Sequence, residues 1–176
     1  MLNTNISLYN PPSELPTLPI APDAAIATRR ACMQDVPRLY TMINHYAARD
    51  DMLPRSLDYL YNRLREFYVA EAGGEVIGCA GLKIIWENLA EVVSVVVHPD
   101  VQGRAVGRTL VETLFVEAVE LGITTIYTFT LQPVFFSRLG FREVPRLSMP
   151  HKIWQECNMC PKQHRCDEIT MMREVS

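Results

Sequence analysis

The chain has no basic residue before Arg29, and no apolar run approaches the roughly 20 residues that a membrane span requires. Its first stretch, "MLNTNISLYNPPSELPTLPIAPDAA", also lacks a long apolar core and is broken by Pro11, Pro12, Pro16, Pro19 and Pro22. A secretory signal needs a basic start and an apolar core, and a mitochondrial presequence needs arginines. Residues 1–25 therefore read as a Pro-rich arm, extended or disordered, or laid along a neighbouring surface. The expected location is the cytoplasm, with no membrane partner. Positive charge is not in excess either. A formal net charge of −3 argues against a nucleic-acid partner, whose binding footprint would be basic. Cysteine is scarce and odd in number, with 5 in all: Cys32, Cys79, Cys157, Cys160 and Cys166. Without a signal peptide, that count argues against a secreted disulfide framework.

What remains is an ordinary globular composition, 48% hydrophobic and 21% charged over 176 residues, enough for one well-filled core spanning residues 26–176. "IATRRACMQDVPRLYTMINHYA" reads as a short strand and then a helix, with Asp35 as cap, Pro37 in the first turn, and Val36, Leu39, Tyr40 and Ile43 on one face. Ser56 is placed to cap a second helix carrying Leu57, Leu60, Tyr61 and Leu64. "EFYVAEAGGEVIGCAGLKIIW" is a hairpin turning at Gly73-Gly74. "LAEVVSVVVHP" is a third strand, and its unbroken valines predict burial on both faces at the centre of a sheet. A helix after Gly107, a strand at "TTIYTFTLQ", a short helix at "PVFFSRLGF" and one or two closing strands complete the order. The pattern β-α-α-β-β-β-α-β-α-β(-β) is α+β: a mixed, mostly antiparallel sheet flanked by helices, with one parallel pair. Cys32 and Cys79, each among apolar neighbours, read as core residues.

In "VVSVVVHPDVQGRAVGRTLVETL" (92–114) a buried strand runs through a Gly-bearing turn directly into a helix N-terminus. Free backbone amides and the helix dipole favour an anion there, and glycine lets a ligand approach closely. The Walker phosphate loop is excluded because its Gly-Lys-Ser/Thr ending is missing, and the dinucleotide fingerprint lacks its third glycine. From spacing alone, a phosphate nest and a plain turn with solvated arginines both stand.

"VVVHPDVQGRAVGRTLVETL" resembles the acetyl-CoA signature, Gln/Arg-x-x-Gly-x-Gly/Ala, of the GNAT acetyltransferase superfamily, and "FFSRLGFREV" resembles the later segment that shapes its cleft. The resemblance implies an acyl-CoA N-acyltransferase fold in which pantetheine inserts beside the central strand. Val95, Val96 and Val97 would pair with the pantetheine amides. Gln102, Gly103, Arg104, Ala105, Val106 and Gly107, with the N–H of Arg108, would hold the pyrophosphate. The middle glycine of the pattern is Ala105 here, whose methyl is tolerated at negative φ and crowds the phosphate at positive φ.

Three further stretches, "LPRSLDYLY", "AEVVSVVVHPD" and "MPHKIWQECNMCPKQHRCDEITM", resemble the short, single-domain bacterial N-acetylglutamate synthases, which serve arginine biosynthesis. That resemblance implies acetyl-CoA as co-substrate, L-glutamate as acceptor, direct attack of the amine on the thioester, and a homodimer. A dicarboxylate acceptor wants fixed cations, and Arg55 and Lys152 are the first candidates, with Arg30 third. Glu91 is the candidate base acting through water, with Glu87 second. A backbone N–H near Val96 would stabilise the oxyanion. Where the superfamily often has a tyrosine as acid, the chain has Phe135-Phe136, and Tyr127 is the substitute. Where this branch leads one to expect an arginine on the central strand, the chain has Val93.

Cys157, Cys160, His164 and Cys166 are ligand types suited to zinc, but their spacing is tighter than structural zinc sites usually have. Packed thiols or a disulfide are the competing readings, and zinc stands as the less favoured cofactor beside acetyl-CoA. Three other functions stay open: acetylation of another small amine or a protein N-terminus, a non-catalytic acetyl-CoA-binding regulatory domain, and a zinc-binding interaction module at 157–166.

Overall fold

The structure is a computed structural model and describes residues 14–150, 158, 160 and 163–175. Along the chain come β1 (Ala27–Arg30), α1 (Val36–Ala47), α2 (Leu57–Asn62), β2 (Phe67–Ala72), β3 (Glu75–Trp86), β4 (Leu89–Val97), α3 (Val106–Glu120), β5 (Thr125–Thr130), α4 (Pro133–Ser137), β6 (Arg142–Glu143) and β7 (Ile169–Glu174). The order matches the α+β pattern read from the sequence. All strands join one 7-stranded sheet in the order β1-β2-β3-β4-β5-β7-β6. Every adjacent pair is antiparallel except β4 and β5.

The valine run explains its own position. β4 is the fourth strand of seven and has a core on each side. Ala90 and Val92 pack with Val106, Leu110, Val111 and Leu114 of α3. Val96, beyond a kink at Ser94, packs with Val36, Leu39, Met42 and Ile43 of α1. Ser94 has φ +53, and the register skips there, since Cys79 faces Val96 while Gly81 faces Val93. That bulge turns the second half of β4 toward the opposite face.

The local signals hold with particular exceptions. Gly73 and Gly74 both have positive φ, as a tight two-residue hairpin turn requires. Ser56 Oγ accepts from the Tyr59 amide at 3.0 Å and caps α2. Asp35 does not cap α1 with its side chain; its carboxylate accepts from the Cys32 amide at 2.8 Å and from Arg29 at 2.7 and 3.0 Å. The stronger charge-assisted partner wins. α2 stops at Asn62, which leaves Tyr61 on the surface. Cys79 is in the core, whereas Cys32 is exposed at the approach to α1. Of the Pro-rich arm, residues 14–25 lie on the domain: Leu18 is buried, and its amide donates to Asp100 Oδ2 at 2.9 Å. Among the described residues no helix is long and apolar enough to cross a membrane.

Candidate active site

β4 and β5 pair over only three positions, Leu89 with Thr125, Ala90 with Ile126 and Glu91 with Tyr127. Beyond Glu91 the two strands part. A parallel pair in mid-sheet normally continues its ladder, so this early end leaves backbone polar groups facing an opening. The opening is a cavity of about 1240 Å³, above the range of roughly 300–1,000 Å³ usual for a small-molecule site.

Strand register lays three polar side chains across its base. Lys83 on β3 faces Glu91, and Glu91 faces Tyr127. Tyr127 Oη donates to Glu91 Oε2 at 3.1 Å, and Lys83 Nζ stands 3.9 Å from the same oxygen. Tyr127 is fully buried, and only small parts of the Lys83 and Glu91 side chains reach solvent. Buried polar groups persist when they satisfy one another, as they do in this row. All three line the cavity.

At another part of the lining, the turn before α3 has Gly103 at φ +82 and Ala105 at φ +60. Ala105 is the residue preceding the helix, and the first amides of α3 have no acceptor within it. Left-handed residues next to right-handed ones turn successive N–H groups to one side, which makes an anion-binding concavity. Ala105 thus adopts the positive φ at which its methyl is a burden, costing roughly 1–2 kcal/mol relative to a right-handed residue. Gln102, Gly103, Ala105, Val106, Gly107 and Arg108 all line the cavity, as do Val95, Val96 and Val97. Arg104 does not: its Nη2 donates to the Ala24 carbonyl at 2.7 Å and ties the N-terminal segment down. Nor is every β4 carbonyl open. Tyr46 Oη donates to Val97 O at 2.6 Å and accepts from Gln102 Nε2 at 2.8 Å.

Arg55 reaches the cavity from the loop before α2. Asn44 pins that loop, donating to Arg55 O at 2.8 Å and accepting from Arg55 N at 3.2 Å. The guanidinium stacks on Tyr59 at 4.4 Å, and its buried Nε has no hydrogen-bond partner among the described residues. A cation held by its backbone and stacked on a ring is ready for an anionic ligand. Arg146 also lines the cavity, 4.8 Å over Phe129, with Nη1 2.9 Å from Cys166 Sγ. Val93 forms apolar wall.

Other candidates are placed elsewhere. Arg30 pairs with Glu117 at 2.7 Å, which ties β1 to α3, and does not line the cavity. Glu87 is exposed in the β3–β4 turn, away from it. Phe135 and Phe136 both line it, with no hydroxyl to offer. Lys152 and Cys157 lie outside the described residues. Cys160 and Cys166 carry free thiols facing the cavity. Among the described residues no group of three or more His, Cys, Asp or Glu is placed to hold a metal ion. Sequence reasoning missed Lys83, Tyr46, Asn44 and Arg146. Of these, Lys83 alone had a local signal, a single cation inside the apolar strand "GCAGLKIIW".

The acetyltransferase (GNAT) family pattern matches residues 33–141. An uncharacterized N-acetyltransferase of Chlorobaculum tepidum is 34% identical over 88% of this chain and 99% of its own. An amino-acid acetyltransferase of Mycobacterium tuberculosis is 32% identical over 78% of this chain and 79% of its own. The chain spans 30% of the longer amino-acid acetyltransferases of Neisseria meningitidis. Among solved structures, a Mycobacterium tuberculosis protein in complex with CoA and NLQ superposes with a TM-score of 0.76 at 26% identity, covering 85% of this chain and 99% of the other. The N-acetylglutamate synthase of Neisseria gonorrhoeae, complexed with coenzyme A and N-acetyl-glutamate, shares the fold with a TM-score of 0.80 at 23% identity, over 89% of this chain and 37% of its own.

Proposed function

Since the chain belongs to the acetyltransferase (GNAT) family, we propose that it transfers the acetyl group of acetyl-CoA to the α-amino group of an acidic amino acid, L-glutamate first among them. The observation that carries this reading is the parting of β4 from β5 immediately after the Glu91–Tyr127 pair, which joins the α3 turn, the carboxylate and Arg55 in one cavity. The amides of Gly103 and of Ala105 to Arg108 take the pyrophosphate, the Arg104 amide being bound to Val101 O, and the open edge of β4 at Val95 and Val96 takes the pantetheine amides. Tyr46 already occupies Val97 O, so pairing there falls to the residues before it.

Arg55 binds one carboxylate of the acceptor bidentately. Glu91 accepts a proton from the ammonium through water, and the freed amine attacks the thioester carbon. The C–N bond forms, the oxyanion rests on a β4 backbone N–H, and the C–S bond then breaks; the departing thiolate takes up the extra proton of the nitrogen, leaving the amide and the free thiol. Tyr127 is bound to Glu91 and serves to hold that carboxylate in place. Lys83 Nζ stands beside the same oxygen, 3.9 Å away. A homodimer belongs to the same proposal.

The test is thiol release from acetyl-CoA across a panel of amino acids. Glutamate-dependent release is expected, and Arg55→Ala should raise KM for glutamate about 10–100-fold, the worth of a charge-assisted hydrogen-bonded contact. Release with apolar amines that Arg55→Ala leaves unchanged would overturn the substrate assignment. Val93 supports a second reading, acetylation of an amine with a single carboxylate, because it lines the cavity with methyl groups instead of a second cation.

A further inference from the structure

Lysine is among the side chains least often buried, yet the one lysine among the described residues, Lys83, lies within β3 with only 9% of its side chain reaching solvent. Its neighbour Leu82 is buried in the core under α3. Alternation along a strand sends Lys83 to the opposite face, where it lines the cavity. The register pairs Leu82 with Val92, Lys83 with Glu91 and Ile84 with Ala90, which sets Lys83 directly across from the proposed base. Nζ is 3.9 Å from Glu91 Oε2. A primary amine therefore ends beside the very group assigned to deprotonate a primary amine.

Stability does not account for that placement, since a buried ion pair often contributes no more than apolar side chains of the same volume. The transfer to a free acceptor gives Lys83 no step of its own. Its position does meet the two needs of an acceptor. It lies next to a carboxylate that can take a proton, and it shares a cavity with the β4 edge at Val95 and Val96, along which the thioester arrives. The flexible four-carbon stem lets Nζ swing from Glu91 toward that thioester. Because the amine is carried by the same sheet, its attack needs no encounter with a second solute.

We propose that Lys83 is a site of self-acetylation: when acetyl-CoA is bound and no acceptor fills the cavity, the Lys83 amine takes the acetyl group. This rests on the acetyl-CoA reading of the cavity and adds a second acceptor to it. Glu91 accepts one proton from the Lys83 ammonium, directly or through one water. The neutral nitrogen attacks the thioester carbon, the C–N bond forms and the C–S bond breaks. The departing thiolate takes the extra proton of the nitrogen, and Glu91 passes its proton to water. One acetyl-CoA and one ammonium thus give one acetyl-lysine, one free thiol and one proton. The product has lost the lysine charge and places a carbonyl and a methyl group at the base of the cavity, so turnover of a free acceptor falls with it. A bound acceptor stands in the way of this reaction and protects the protein.

The experiment incubates the full chain with acetyl-CoA, with and without glutamate, and follows intact mass, peptide maps and the remaining thiol-release activity. The lysines of the sequence are Lys83, Lys152 and Lys162, so the map distinguishes them readily. Without glutamate, the mass of one acetyl group should accumulate on Lys83, and activity should decline in step. Glutamate in large excess should slow the modification about tenfold, in proportion to the cavities left empty. Glu91→Gln should slow it about 100-fold. Lys83→Arg keeps the cation without a primary amine, and it should hold its starting activity through the incubation. Acetyl-Lys83 formed equally with and without glutamate would support self-acetylation and count against glutamate as the acceptor. Acetyl groups spread over Lys152, Lys162 and the N-terminus, at rates that Glu91→Gln leaves unchanged, would overturn the inference while leaving the acetyl-CoA reading intact. So would an unmodified Lys83 in a protein that acetylates glutamate. A protein that neither binds acetyl-CoA nor releases its thiol would remove the acetyl-CoA reading and the inference with it.

Discussion

Ala105 sits at φ +60, in a region where its methyl group is unfavourable and glycine carries no such penalty. The residue is exposed at the mouth of α3, so substitution there disturbs no packing. Ala105→Gly should therefore stabilise the fold by about 1 kcal/mol, the steric relief being partly offset by the greater freedom of glycine in the unfolded chain. Urea denaturation of the two proteins measures this directly. The left-handed conformation could not be read from "QGRAVGR", because the sequence shows the residue types and not the sign of φ. Arg104 illustrates the same limit. Its position in the signature places it beside the pyrophosphate turn, yet its guanidinium is committed to Ala24, a partner 80 residues away.

At the scale of elements, the strands and helices were legible because each carries its own periodicity and its own stop signal. The valine run of β4 marked the centre of the sheet, and Gly73-Gly74 marked the hairpin. The row Lys83–Glu91–Tyr127 was legible only in part. Glu91 and Tyr127 each stood out, but their contact depends on the parallel register of β4 against β5, and Lys83 on the antiparallel register of β3. Register is a property of pairs of strands, set by bulges such as that at Ser94 and by the packing of α3. That packing can be tested on its own. Leu114 is fully buried in the α3 face of the core, and Leu114→Ala should cost about 2–5 kcal/mol of stability by urea denaturation. The loss should come without a change in the order of strands.

For the whole molecule, the arm and the sheet meet at His98, which is buried at the end of β4. Burial, and then the nearby Arg38 cation, lower its pKa from the ordinary value of 6.5, with Asp100 opposing. The imidazole stays neutral when folded, and Nδ1 accepts from the Asp100 amide at 3.3 Å. Below about pH 6.5 the unfolded chain takes up a proton that the folded chain does not, so folding stability should decline as pH falls from 6.5 toward the lowered value. Unfolding free energies at several pH values should show that decline, and His98→Gln should flatten it. Long-range docking of this kind, in which residues 14–25 reach Asp100 and Arg104, has no local pattern in a Pro-rich segment.

In the proposed reaction the parted strands hold the thioester where Glu91 can relieve the acceptor of its proton. Single-turnover thiol release by Glu91→Gln, with glutamate and saturating acetyl-CoA, tests it most directly. The amide keeps the size of the side chain and removes its basicity, so the rate should fall about 100-fold or more while acetyl-CoA binds with unchanged affinity. A rate within a few-fold of the unaltered protein would contradict the assignment of Glu91 as the base.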